Sequence, residues 1–206
     1  MNTILSKYAI VIEKIYWFAY LQVLWVLFSL LGFIVFGVFP ATHALIMVLK
    51  EKDLSSIEAF RIFRNAFTRS FIKLSGAGIV FLFMFVLLII NVIIFQVVYM
   101  KVLALGMLGL VFLSMLHFFQ YFELGKPIVY QVKRAFSFVW VLPKNNVGYV
   151  LAFMGFILSI AFIPGIAFFF GVSITMFFVV KIGNSEESQR LLTLIGDKND
   201  GGESLN

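Results

Sequence analysis

Hydrophobic residues occur in four long stretches that contain no Asp, Glu, Lys or Arg. These stretches are residues 15–49, 74–100, 102–122 and 145–180. Each exceeds the roughly 18 apolar residues that indicate a membrane span, because a spanning helix crosses about 30 Å of hydrocarbon without burying charge. The pattern predicts an all-α integral membrane protein. It also leaves the spans without the ionised groups that usually mark intramembrane chemistry.

The first stretch is too long for a single crossing, since as one straight helix it would reach about 52 Å. Gly37 and Pro40 are its break signals, and Pro suits the first turn of a new helix. We therefore predict a span over about 15–36 followed by a short helix over 40–49. A hairpin that turns at Gly32 stays open as an alternative.

The other stretches supply the remaining predicted crossings. Lys101 separates the second from the third, which predicts a tight helical hairpin, and Pro164 with Gly165 divides the last. The prediction is one helical membrane domain over 1–182, with spans at about 15–36, 74–100, 102–122, 145–163 and 165–180. Residues 183–206 are predicted to form a cytoplasmic tail that is largely disordered at its end, because it contains few apolar residues.

Basic residues determine the predicted orientation. Segment 50–73 carries six Lys and Arg residues and segment 123–144 carries four, whereas the opposite turns carry only Lys101. Both basic segments are expected to face the cytoplasm. Five spans then place the N-terminus outside and the C-terminus inside. Lys7 and Lys14 fit a six-span alternative with a cytoplasmic N-terminus better, so the count stays open between five and six.

Both basic segments are predicted to form amphipathic helices, over about 55–73 and 127–142. The first begins with Ser55 and Glu58 at the spacing of a capping box, and Phe residues recur along one of its faces beside basic residues. Such a helix belongs at the anionic cytoplasmic interface, where it either docks a partner or packs beneath the bundle. The candidate docking residues are Phe60, Arg61, Phe63, Arg64 and Phe67.

Uncharged polar residues inside the predicted spans suggest a second candidate site. They are Asn91, Gln96, His117 and Gln120. His117 and Gln120 are one helical turn apart, so they would line an intramembrane polar groove if the side of the preceding span that carries Asn91 and Gln96 met them. Interhelical hydrogen bonds that fix the helix register are the competing interpretation.

Composition narrows the range of functions. The chain has no Cys, two His and 62% apolar residues, with a mean hydropathy of +1.05. Two His residues without an acidic partner in any span do not form a convincing metal site. We also find no P-loop, dinucleotide fingerprint or nucleophile elbow. The net charge of +6 is concentrated between spans, which is a topology signal. We therefore expect no enzyme activity, cofactor, metal or nucleic-acid partner.

Three pieces of sequence resemble the YesL-like family of bacterial membrane proteins. They are LWVLF at 24–28, the run from Gly37 through PATHAL at 40–45, and FRIFRNAF at 60–67. The resemblance extends from the first span to the last hairpin. Genes of this family commonly lie beside carbohydrate ABC importers, their solute-binding proteins and polysaccharide-degrading enzymes. The resemblance therefore implies a sugar-uptake context in a bacterial plasma membrane, and it supplies no catalytic residue.

Two functions follow as expectations. The favoured one is a non-catalytic accessory or regulatory protein that associates with the permease subunits of a carbohydrate ABC importer through the 55–73 helix. The alternative is a small transporter or channel subunit with a polar groove between spans two and three. An ABC permease subunit is disfavoured, because Glu58-Ala59 lacks the downstream glycine of the coupling motif.

Overall fold

The computed structural model describes residues 2–185, 188 and 190, and these form seven helices without a strand. The helices are α1 (Asn2–Leu31), α2 (Val38–Lys50), α3 (Ser56–Ile94), α4 (Val98–Gln120), α5 (Ile128–Val141), α6 (Pro143–Phe162) and α7 (Pro164–Gly183). Five are long and apolar enough to cross a membrane, namely α1 from Val11 onward, α3, α4, α6 and α7. The prediction of an all-α, multi-pass membrane protein is confirmed. The predicted disordered end of the tail lies outside the described residues.

The first charge-free stretch turns earlier than predicted. α1 ends at Leu31 rather than at residue 36, and α2 begins at Val38, so Pro40 lies in its first turn. Two residues of the intervening turn, Phe33 and Ile34, have φ angles of 56° and 57°. The break therefore occupies the segment from Gly32 to Gly37, which includes the alternative turning point.

Two glycines allow this turn to close tightly. A Cβ atom added to Gly32 would lie 2.3 Å from the Cα of Gly37. A Cβ atom added to Gly37 would lie 2.3 Å from the carbonyl oxygen of Ser29. Both distances are far below van der Waals contact. The close approach of the two backbones thus requires glycine at both positions.

The predicted boundary between an interfacial helix over 55–73 and a span over 74–100 is absent. α3 continues unbroken for 39 residues, about 58 Å at 1.5 Å per residue. The change from charged to apolar residues near Leu74 alters the surroundings of the helix, but no Pro is present to end it. At its start, the Ser55 side chain accepts from the Glu58 backbone and the Glu58 carboxylate accepts from the Ser55 backbone, which completes the capping box.

The turn between α3 and α4 also differs from the prediction. The chain reverses at residues 95–97, whereas Lys101 lies inside the first turn of α4. Lysine is a good helix former whose long side chain can reach toward water, so a single Lys need not end a helix. The later breaks follow the prolines, because Pro143 and Pro164 occupy the first position of α6 and α7.

The core is built around α2, the shortest helix of the bundle. Eight of its thirteen residues are buried, and it packs against α1, α3, α4 and α7. Ala41, Ala44 and Leu45 are completely inaccessible to solvent. The indole of Trp25 donates to the Thr42 hydroxyl at 3.0 Å, which fixes α1 to α2. A helix too short to cross the bilayer therefore joins the other parts of the bundle.

We expect Gly37→Ala to lower the thermal stability of the purified protein in detergent. The new methyl group would overlap the carbonyl of Ser29 and push the two arms of the turn apart. Gly106→Ala is the matched control, because a Cβ atom there meets no heavy atom within 4 Å. The control should unfold at the wild-type temperature or slightly above it, since Ala is the better helix former. Equal unfolding temperatures for Gly37→Ala and wild type would contradict this account of the turn.

Candidate functional site

The predicted docking helix is the first half of α3, and its candidate residues lie on different faces. Phe63 is fully buried and Phe67 is 8% exposed. Both rings lie 5.0 Å from the ring of Phe28 in α1, a distance typical of favourable aromatic pairs. Phe60 is 41% exposed. The buried pair therefore attaches α3 to α1, and only Phe60 of the three remains available to a partner.

The other face of this helix is basic and open. Arg61, Arg64 and Arg69 are exposed, and we call them the basic edge of α3. Within the described part of the chain, none of the three forms an ion pair with a carboxylate. Glu58 lies three residues before Arg61, and its pKa is lowered by hydrogen bonds from Ser55 and further by the charge of Arg61. The basic edge thus presents guanidinium groups to the surroundings.

The second basic segment is arranged differently. Partial burial alone would raise the pKa of Glu123, but hydrogen bonds and charge from Arg134 and Lys126 hold it below its usual range. Arg134 lies 2.6 Å from that carboxylate and Lys126 lies 3.0 Å from it. Gln131 accepts from the Glu123 backbone at 2.7 Å and donates back to its carbonyl at 2.8 Å. These contacts stabilise the loop before α5. The bounds of α5 are close to those of the predicted helix over 127–142.

The predicted polar groove does not assemble. Asn91 donates only to the Leu87 carbonyl of its own helix, at 2.8 Å, and Gln96 is exposed in the α3–α4 turn. His117 and Gln120 lie at the other end of α4, and His117 is about 28 Å along that helix from Val98. The groove cannot form because the length of α4 places the two pairs of residues at opposite ends of the α3–α4 hairpin.

His117 and Gln120 instead belong to a buried polar cluster between the ends of α4, α6 and α7. The His117 Nε2 atom lies 2.9 Å from the Asn146 Oδ1 atom. The Asn146 amide in turn donates to the Val139 carbonyl at 2.6 Å, and the Gln120 amide donates to Asn184 at 3.3 Å. These bonds connect α4 to α5, α6 and the end of α7. This arrangement matches the competing interpretation, in which these residues form hydrogen bonds between helices.

Further hydrogen bonds extend the cluster to the end of α2 and to the segments that follow α4 and α7. The Tyr121 hydroxyl donates to the Gly183 carbonyl at 3.0 Å, and the Asn145 amide donates to the Ser188 hydroxyl at 2.9 Å. The Lys50 ammonium donates to the Gln120 carbonyl, and burial lowers the pKa of this lysine. Sequence reasoning missed Asn145 and Asn146. The signal was available, because two amides follow Pro143 at the start of a charge-free stretch.

The structure also contains an apolar groove that the sequence did not suggest. It lies between α6 and α7 and has a volume of about 520 Å³. Its α6 side includes four small residues, Gly148, Ala152, Gly155 and Ser159, beside Leu151 and Phe156. The Ser159 hydroxyl donates to the Phe156 carbonyl of its own helix at 2.7 Å. The groove therefore suits an apolar occupant. Among the described residues, no three His, Cys, Asp or Glu side chains are grouped so that they could hold a metal ion.

One known family matches the part of the chain that carries α2 and the basic edge of α3. Residues 18–92 match the family described as "Protein of unknown function, DUF624". The chain is 45% identical to the "Uncharacterized protein YesL" of Bacillus subtilis (strain 168) over 53 residues, which are 25% of each chain. Over this part the chain is similar to YesL-like proteins. The resemblance predicted from the sequence is thereby confirmed.

Two longer matches come from the same organism. The "Uncharacterized protein YteU" is 27% identical over 180 residues, which cover 82% of this chain and 80% of that protein. The "Uncharacterized protein YesV" is 27% identical over 193 residues, which cover 86% of this chain and 91% of that protein. No solved structure matches the chain. The similarity to these two proteins therefore extends beyond residues 18–92 to the later helical hairpins.

We expect the bond between His117 and Asn146 to stabilise the bundle. Asn146→Leu should lower the free energy of unfolding in detergent by about 1–3 kcal/mol, because it leaves the buried imidazole without its partner. Replacing both residues, His117→Phe with Asn146→Leu, should cost less than the sum of the single changes. Asn91→Leu is the control and should be nearly neutral, since Asn91 bonds only within its own helix. Strict additivity of the two changes would contradict the coupling.

Proposed function

We propose that this chain is a non-catalytic accessory or regulatory protein of a bacterial plasma membrane. It associates with the permease subunits of a carbohydrate ABC importer, and its C-terminus lies in the cytoplasm. The observation that carries the proposal is the basic edge of α3, which is exposed while another face of the same helix is buried against α2 and α1. The sugar-uptake context comes from the resemblance to YesL-like proteins.

The contrast between the two basic segments supports α3 as the docking element. Lys126 and Arg134 are already paired with Glu123, so their charge is largely compensated within the protein. Arg61 and Arg64 have no such carboxylate partner in the described part of the chain. Charged groups on a surface attract an oppositely charged partner and help to select it. An acidic cytoplasmic surface of a permease subunit is the complementary partner.

The position of Phe60 adds an apolar component to this surface. It lies beside Arg61 and is partly exposed, and its ring is 6.2 Å from that of Phe28. Aromatic and arginine side chains are the types that most often dominate binding energy at interfaces. Phe60, Arg61 and Arg64 therefore form the proposed contact. Phe63 and Phe67 support it from within the core.

The buried polar cluster supports a non-catalytic role. Its amide, imidazole and hydroxyl groups bond to other helices, which is the use expected of groups that hold a bundle together. The alternative function, a small transporter or channel subunit, required the four polar residues to line one groove. Asn91 and Gln96 lie at the far end of the hairpin from His117 and Gln120. This separation favours the accessory role over the alternative.

Reversing both charges, Arg61→Glu with Arg64→Glu, should abolish co-purification of importer subunits from the native host in mild detergent. The variant should remain folded, because both side chains are exposed and the buried Phe63 and Phe67 still attach the helix. Lys126→Glu is the charge-matched control on the other basic segment and should affect recovery less. Unfolding temperatures of all variants would be compared with wild type.

Undiminished recovery of the importer subunits by the folded double variant would exclude the basic edge as the contact. Wild-type protein that repeatedly purifies without any importer subunit would contradict the proposed association itself.

A further inference from the structure

α5 lies at the ends of two spanning helices. The ring of Phe138 is 5.2 Å from that of Tyr121, the residue that follows α4. The Val139 carbonyl accepts from the Asn146 amide at 2.6 Å, in the first turn of α6. A single residue separates α5 from α6. α5 therefore packs at the level where α4 ends and α6 begins, which in a membrane-spanning protein is the zone of the lipid headgroups.

Three exposed side chains share one side of α5. At ~100° per residue, Val129, Lys133 and Trp140 project within about 40° of one another, and we call them the outer flank of α5. Val129 is 67% exposed and Trp140 is 76% exposed. Lys133 is exposed as well. The packing of the described residues thus leaves the outer flank uncovered. The buried side chains of this helix lie elsewhere around its axis, namely Gln131, Ala135, Phe138 and Val139.

Lys133 differs from the basic residues near it. Lys126 lies 3.0 Å and Arg134 lies 2.6 Å from the carboxylate of Glu123. Lys133 forms no ion pair with any carboxylate that the structure describes. The charge that α5 presents to its surroundings is therefore that of Lys133, because the charge of Arg134 is compensated by Glu123.

An anionic phospholipid offers a partner to each member of the outer flank. Tryptophan is enriched at membrane interfaces, because its ring is apolar while its indole N–H is polar. The lysine ammonium attracts anionic headgroups, and valine adds apolar area toward the acyl chains. Water offers no such partner to Val129 and Trp140, because the exposure of apolar area to water is unfavourable. The outer flank thus suits a headgroup region better than an aqueous surface.

We infer that the outer flank of α5 binds anionic phospholipid, with the Trp140 ring among the headgroups, Val129 toward the acyl chains and the Lys133 ammonium at the lipid phosphate. This surface lies on a different helix from the basic edge of α3. Lipid bound to it leaves Arg61 and Arg64 free for the proposed importer contact. Binding of lipid at α5 also requires no importer subunit.

The fluorescence of Trp140 in reconstituted protein tests this assignment. The full chain would be purified and placed in bilayers of phosphatidylcholine and phosphatidylglycerol. The chain has three Trp residues, so the signal of Trp140 is the difference between wild type and Trp140→Phe. We expect lipids brominated near the headgroup end of the acyl chain to quench that signal, and aqueous iodide to leave it largely unchanged. Quenching by iodide without quenching by brominated lipid would overturn the inference, because the outer flank would then face water.

A second comparison tests the preference for anionic lipid. Brominated phosphatidylglycerol should quench Trp140 more than brominated phosphatidylcholine at equal mole fraction, by up to about fivefold for one lysine at the surface. Lys133→Gln should remove this preference while the protein stays folded, since the side chain is exposed. Lys101→Gln, at the opposite end of α4, is the control and should keep it. Equal quenching by both lipids in wild type, or an unchanged preference in Lys133→Gln, would contradict an anionic-lipid surface on α5.

Discussion

The burial of α2 is the interaction on which the rest of the structure depends. This helix is too short to cross a bilayer, yet it contacts four other helices and has most of its residues buried. Leu45 and Ile46 fill the centre, and the Lys50 ammonium at its end bonds the last carbonyl of α4. Because these contacts reach elements far apart in sequence, α2 connects the first helix to both later hairpins.

The tight turn before α2 makes this burial possible. Gly32 and Gly37 bring the chain back at the level of Phe71 and Ser75 in α3, so that α2 returns between α1 and α3. Phe28 of α1 contacts the first half of α3 directly, through the rings of Phe63 and Phe67. Aromatic pairs at such distances contribute about 0.5–1.5 kcal/mol beyond the burial of their area. The close approach of the backbone at the two glycines and the packing of the aromatic rings thus both stabilise the position of α2.

The sequence predicted features that depend on local chemistry. Pro40 and Pro164 mark helix starts because the constraint of proline acts on its own backbone, and Ser55 with Glu58 completes a cap within four residues. The predicted helix boundaries were wrong where charged residues were taken to mark the end of a helix. The charges before Leu74 and at Lys101 describe the surroundings of a helix, and neither interrupts its hydrogen bonds.

The site could be predicted only in part for a related reason. Periodicity placed the Phe and Arg residues of α3 on a helix, but it could not show which of them another helix would cover. That depends on the return of α1 and α2, which buries Phe63 and leaves Phe60 at the surface. Likewise, His117 and Gln120 were recognised as buried polar groups, whereas their partners come from α6 and the end of α7. Tertiary contacts therefore decide whether a side chain of a given type packs in the core or stays available for recognition. The basic edge remains exposed because the core of the bundle lies on another face of α3.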